Sequence, residues 1–102
     1  MAQFMVIGRD GNDAQARERR LAARPAHFTG IEGMVAKGEI VSGSAILDDA
    51  GNMVGSVVIA EFPSRAELDA WLAREPYVTG GVWQDIEIKP VRIAVRDGKV
   101  TP

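Results

Sequence analysis

The chain holds one imidazole. His27 sits in the stretch Arg24-Pro25-Ala26-His27-Phe28, and histidine is the side chain whose ordinary pKa lets it take and give protons near neutral pH. At about 100° per residue around a helix, Arg20, Arg24, His27, Ile31 and Met34 share one face, with Leu21, Phe28 and Val35 beside them. An arginine on a core-facing stripe needs a paired carboxylate or a bound anion. The face therefore combines a proton carrier with two cations, which suits general acid–base chemistry on a substrate that develops negative charge. The structural alternative has both arginines reaching out to water from the helix edge while His27 caps a neighbouring carbonyl. Spacing alone leaves both open.

A catalytic imidazole needs a group that fixes its tautomer. Asp10 is the leading candidate, because the chain leaves a first strand there and returns along the helix above it. Asp13 more simply caps the start of that helix. Glu75, next to Pro76, reads more simply as a helix stop, with a place at the mouth of a pocket, or a pairing with His27, as its other reading. Tyr77 either packs over the sheet edge or stands at the mouth of a pocket. Ser42, Gly43 and Ser44 are small, which leaves room beneath a helix and makes Ser44 a candidate substrate contact.

Other chemistries lack their residues. With no cysteine and a single histidine, a structural zinc site, an iron–sulfur cluster and a thiolate nucleophile drop out; no metal site and no cofactor are expected. The glycines form neither a GxGxxG nor a phosphate loop, and VSGSA does not match the GxSxG elbow. A net charge of −2 offers no basic excess for nucleic acid. No stretch approaches the roughly 20 apolar residues that span a membrane. The start MAQFMVIGRDG lacks the charged opening and longer apolar run of a signal peptide, so the expected location is cytoplasmic.

The elements that must carry these residues follow from pattern. Residues 3–8 read as a buried strand and 13–37 as helix, either kinked at Pro25 or restarted with Pro25 in its first turn, and stopped by Gly38. Strands over 39–47 and 53–62 flank the turn Asp48-Asp49-Ala50-Gly51-Asn52. Ser64 with Glu67 forms a capping box, opening a helix that Pro76 ends; Leu68, Trp71 and Leu72 share its apolar face. Residues 82–93 form a last strand, with Pro90 marking an edge, and the tail over 96–102 is polar. With 102 residues this is a single domain, and the order β-α-β-β-α-β is ferredoxin-like, of the α+β class. Val82, Trp83, Ile86 and Ile88 suggest an apolar sheet face that a second subunit covers. A homodimer, with two sheets closing into an α/β barrel, is the expectation.

The segments RRLAARPAHFTGI, KGEIVSGSAI, GSVVIAEFPSRAELDAWLAREPYVTGGVW and EIKPVRIAV together resemble the YciI-like (YCII) family over nearly the whole chain. The most specific parts are Arg24-x-x-His27 and the stretch from Pro76 to Trp83, whose familiar form opens with Asp-Pro where this chain has Glu75-Pro76. The resemblance implies a dimeric ferredoxin-like α/β barrel and an active site built on a His–Asp pair, carried over onto His27 and Asp10. It also implies a small aromatic substrate and a lyase activity, the removal of HCl from a chlorinated hydroxyhydroquinone in aromatic degradation. Arg20 or Arg24 would then hold the developing phenolate. The alternatives are an isomerase of a lactone or enol using the same pair, and a ligand-binding module without catalysis.

Overall fold

A computed structural model describes residues 1–102. The elements are β1 (Ala2–Asp10), α1 (Ala16–Ala36), β2 (Ile40–Leu47), β3 (Met53–Phe62), α2 (Arg65–Leu72), α3 (Pro76–Thr79), β4 (Trp83–Pro90), β5 (Val95–Arg96) and β6 (Lys99–Val100). The first four long strands form one antiparallel sheet in the order β2-β3-β1-β4. This is the ferredoxin-like α+β arrangement expected from the sequence. Pro90 ends β4, an edge strand, where its missing N–H costs no ladder bond.

Alternate residues of the central strands face the helices. Phe4 and Val6 of β1 and Val58, Ala60 and Phe62 of β3 are buried in one core with Met34 of α1 and Leu68, Trp71 and Leu72 of α2. Val82, Trp83, Ile86 and Ile88 join this same side; Ile86 pairs with Gly8, and Ile88 with Val6. The apolar residues of the last strand thus belong to the covered face, not to the one expected to meet a second subunit. The bare face carries Met5, Ile7, Val57 and Ile59, which pair across β1 and β3. At one end it is edged by Arg9, whose Nη1 lies 3.2 Å from Asp85 and 3.3 Å from Glu87.

Helix α1 is continuous through Pro25. Pro25 and Leu21, whose carbonyl loses its partner, are both exposed, so water can satisfy that carbonyl. The helix ends as its glycine requires. Gly38 takes a φ of +78°, Glu39 N donates to Met34 O, and Gly38 N donates to Val35 O, a Schellman stop. Ser64 caps α2 by accepting from Glu67 N at 3.4 Å. Pro76 departs from expectation: α2 closes at Leu72, and Pro76 opens α3 as its first residue. The polar tail also differs, since Asp97 and Gly98, with φ of 52° and 75°, turn it into the β5–β6 hairpin.

Candidate active site

Continuity of α1 fixes the registry of its inward face. Arg20, His27 and Met34 are its buried residues. Arg20, Arg24, His27, Phe28, Ile31 and Val35 wall a cavity of about 250 Å³ between the helix and strands β2 and β3, with Tyr77 and Ser56 also in its lining. The sequence-derived residues His27, Arg20, Arg24 and Tyr77 therefore meet at one site. Ser44 borders it, but Ser44 pairs with Val57, on the bare side of the sheet. Alternation places Gly43 and Ala45 toward the helix, and these supply the room expected from Ser44.

The carboxylate beside His27 is Glu75, not Asp10. His27 Nδ1 donates to Glu75 Oε1, and both residues are buried, at 7% and 2% exposure. Glu75 is the N-cap of α3, where its carboxylate also accepts from Tyr77 N and from Trp71 Nε1, each at 3.2 Å. Pro76 fixes the helical entry that turns Glu75 inward. Asp10 fails to reach His27 for a geometric reason. It ends β1 opposite the first half of α1 and meets Arg20, whereas His27 lies two helical turns on, about 10 Å along the axis.

Arg20 is 3% exposed, and its guanidinium is held by its two terminal nitrogens while the buried Nε keeps no partner. Its Nη1 donates to Asp10 Oδ1 and Oδ2 at 3.0 and 3.1 Å, its Nη2 donates to Ser56 Oγ at 2.9 Å, and its guanidinium lies 4.8 Å from the centre of the Tyr77 ring. Burial pushes the Asp10 carboxyl up from its usual value, against the pull of Arg20. Asp13, the weaker candidate for His27, accepts from Gln15 N at the start of α1 and binds Arg19 at 2.9 and 2.5 Å.

Ser56 escaped the sequence reading. It accepts from Arg20 and also from Trp83 Nε1 at 3.2 Å. With both lone pairs taken, its hydroxyl proton is free to donate, and Ser56 lines the cavity. The signal was present: a serine on the inward register of a central strand, two residues before Val58, is a polar group on a buried face. Trp83 reaches Ser56 because Gly8 has no side chain; a Cβ there would fall within the indole.

Tyr77 completes the site. Its ring lies against His27, with centroids 3.9 Å apart, and meets Trp83 edge-on at 5.5 Å. Burial raises the Tyr77 pKa above its usual value, so the phenol stays protonated at neutral pH. His27 Nε2 has no protein partner, and the Nδ1 bond to Glu75 makes Nε2 the basic nitrogen of the neutral ring. No three His, Cys, Asp or Glu side chains gather to hold a metal ion. The site thus offers a fixed proton acceptor beside two donors, Arg20 and Ser56.

Residues 2–92 match the YCII-related domain. The chain belongs to the YCII-related family. Protein YciI of Escherichia coli is 33% identical over 95 residues, covering 87% of this chain and 95% of the relative. A Haemophilus influenzae protein is 31% identical over 81 residues, covering 74% and 83%. The fold is shared with 5-chloro-2-hydroxyhydroquinone dehydrochlorinase from Burkholderia phenoliruptrix AC1100, solved with 2,5-dihydroxybenzoquinone: TM-score 0.76, 22% identity, covering 88% and 93% of the two chains. It is also shared with a dimeric ferredoxin-like protein from Jannaschia sp. CCS1, at TM-score 0.51 and 10% identity, covering 91% and 100%. The structural relatives of this YCII-related chain thus include an enzyme that handles a small oxygenated ring. No helix is long and apolar enough to cross a membrane.

Proposed function

We propose that this chain is a proton-transfer lyase of small hydroxylated rings, and that it removes HCl from a chlorinated hydroxyhydroquinone to leave a hydroxybenzoquinone. The observation that carries the reading is the His27–Glu75 pair, buried and directed at a cavity whose other polar groups are Arg20, Arg24, Ser56 and Tyr77. The dehydrochlorinase likeness in fold supports the reaction class.

The steps need protons alone. His27 Nε2 takes the proton of a ring hydroxyl as the oxygen becomes a carbonyl. The electron pair moves through the ring to the chlorine-bearing carbon, which takes that proton back from the imidazolium. Loss of a second hydroxyl proton then expels chloride and forms the quinone, so that HCl is the whole difference between substrate and product. Glu75 holds the tautomer and steadies the imidazolium. Arg20 and Ser56 donate to the oxygen that carries negative charge, a contribution strengthened in a water-poor cavity. General acid–base help of this kind is worth about 10²–10⁴-fold in rate.

Chloride release from a panel of chlorinated hydroquinones tests the reaction. Wild-type turnover that His27→Ala abolishes with the fold intact supports it; unchanged turnover in that variant overturns it. Conversion of a lactone or enol by the wild-type chain, without chloride release from any ring, would assign the same pair to an isomerase. Saturable binding without product would leave a binding module. We infer in addition that the chain works as a homodimer through the apolar bare face of Met5, Ile7, Val57 and Ile59. Light scattering on wild type and Ile59→Lys checks this, with a dimer mass expected for the first and a monomer for the second.

A further inference from the structure

The charges around the cavity do not cancel, and the surplus points to the kind of ring it takes. Arg20 is matched by Asp10, and His27 by Glu75. Arg24 is left over. It lines the cavity, takes part in none of the chain's ion pairs, and holds its guanidinium 4.9 Å from the centre of the Phe28 ring. That contact places the cation at the cavity mouth at little cost in side-chain freedom. The lining contains no aspartate or glutamate to balance it.

Position adds to charge. On the continuous helix, Arg24 lies one turn beyond Arg20, about 6 Å further along the axis. This is close to the span between opposite substituents of a six-membered ring. The planar fork of a guanidinium matches a carboxylate better than any other small anion on carbon. The apolar walls of the cavity, Ile31 and Val58 among them, suit the faces of such a ring.

We propose that the ring bound here carries a carboxylate, seated on Arg24, with its reacting hydroxyl at Arg20, Ser56 and His27. The substrate class is a single-ring hydroxybenzoate or its cyclic enol equivalent rather than an uncharged polyhydroxybenzene. This rests on the acid–base reading above for the role of His27 and departs from it on the substrate, since a hydroxyhydroquinone carries no carboxylate.

Calorimetric titration with 4-hydroxybenzoate and its neutral analogue 4-hydroxybenzamide tests the assignment, with the His27 imidazole followed by NMR to place each ligand. The carboxylate is expected to bind about tenfold more tightly than the amide at low salt. Arg24→Gln should erase that preference and Arg24→Lys should keep part of it. Arg74→Gln, which removes an exposed cation on the other side of α1, should leave it intact. Arg24 is exposed and glutamine is a good helix former, so the variant keeps the fold. Equal binding of the two ligands, no binding of either at millimolar concentration, or a preference untouched in Arg24→Gln overturns the proposal. Chloride release from uncharged chlorohydroquinones with no carboxylate preference would sink this inference while the lyase reading stands. Tight carboxylate binding without turnover on any ring would do the reverse.

Discussion

The phenol of Tyr77 lies nearly flat on the imidazole of His27, the ring planes 13° from parallel. The stack joins the middle of α1 to the start of α3, and it leaves the imidazole little freedom to turn. Glu75 holds the same ring by its Nδ1 edge. The catalytic candidate is thus constrained along its face and at one edge, and only Nε2 is open to a ligand.

Tyr77→Leu should therefore lower kcat by about 10²-fold, the cost of misplacing a reacting group by roughly an ångström. Tyr77→Phe keeps the stack and should stay within about tenfold of wild type. Steady-state kinetics on both variants checks this. Equal losses would assign the effect to the hydroxyl instead of the ring.

Glu75→Gln keeps the shape of the side chain but offers His27 an amide in place of an acceptor-only carboxylate. A loss of about 10²–10⁴-fold in kcat is expected with substrate binding largely kept. Glu75→Ala goes further, leaving the donors of His27, Trp71 and Tyr77 unmet. Each orphaned buried group costs about 1–3 kcal/mol, so urea denaturation should show a marked drop in midpoint.

Asp10 answers to stability first. Removing it in Asp10→Ala strands the buried Arg20 cation, a change that costs about 3–5 kcal/mol. Its carboxyl pKa is raised by burial, so the folded state holds this proton more firmly than the unfolded chain does. Stability attributable to Asp10 is then fullest below 3.8, its ordinary value, and falls as pH climbs through the interval up to the raised one. Denaturation midpoints of wild type and Asp10→Asn across that interval should diverge, with the variant lacking the decline.

Asp13 carries the opposite sign. Its hydrogen bonds from Arg19 hold its pKa down, from 3.8 to about 2. The contribution is present above 3.8 and is lost as pH falls through about 2. Asp13→Asn should flatten the acid limb of the stability curve. Because this pair is solvent-exposed, high salt should shrink the difference.

Much of this was legible in the sequence. The strands and both main helices announced themselves through turn residues, a capping box and apolar periodicity, and His27, Arg20 and Arg24 emerged from one helical stripe. The partner of His27 did not. The pair spans 48 residues, and Pro76 was read as an ending when it begins a four-residue helix. Such a short helix has no periodicity to betray it; only the acid before proline, a good N-cap arrangement, hints at it. Asp10 was favoured because it is near in sequence, whereas reach along the helix axis decides which carboxylate meets the ring. The covered face of β4 was misjudged because strand alternation fixes two faces without saying which one the helices take.

Gly8 lies on the far side of the sheet's centre from the cavity edge and is no part of the cavity wall, yet the site leans on what it lacks. The space vacated by its missing side chain is filled by the Trp83 indole, and that indole holds the Ser56 oxygen. The donor pair at the reacting oxygen is thus set by an absence two strands away from the edge where the cavity opens. A single methyl group at position 8 would collide with the indole and so displace the oxyanion side of the site from the strand beside Ser56, with every residue of the cavity wall unchanged in kind.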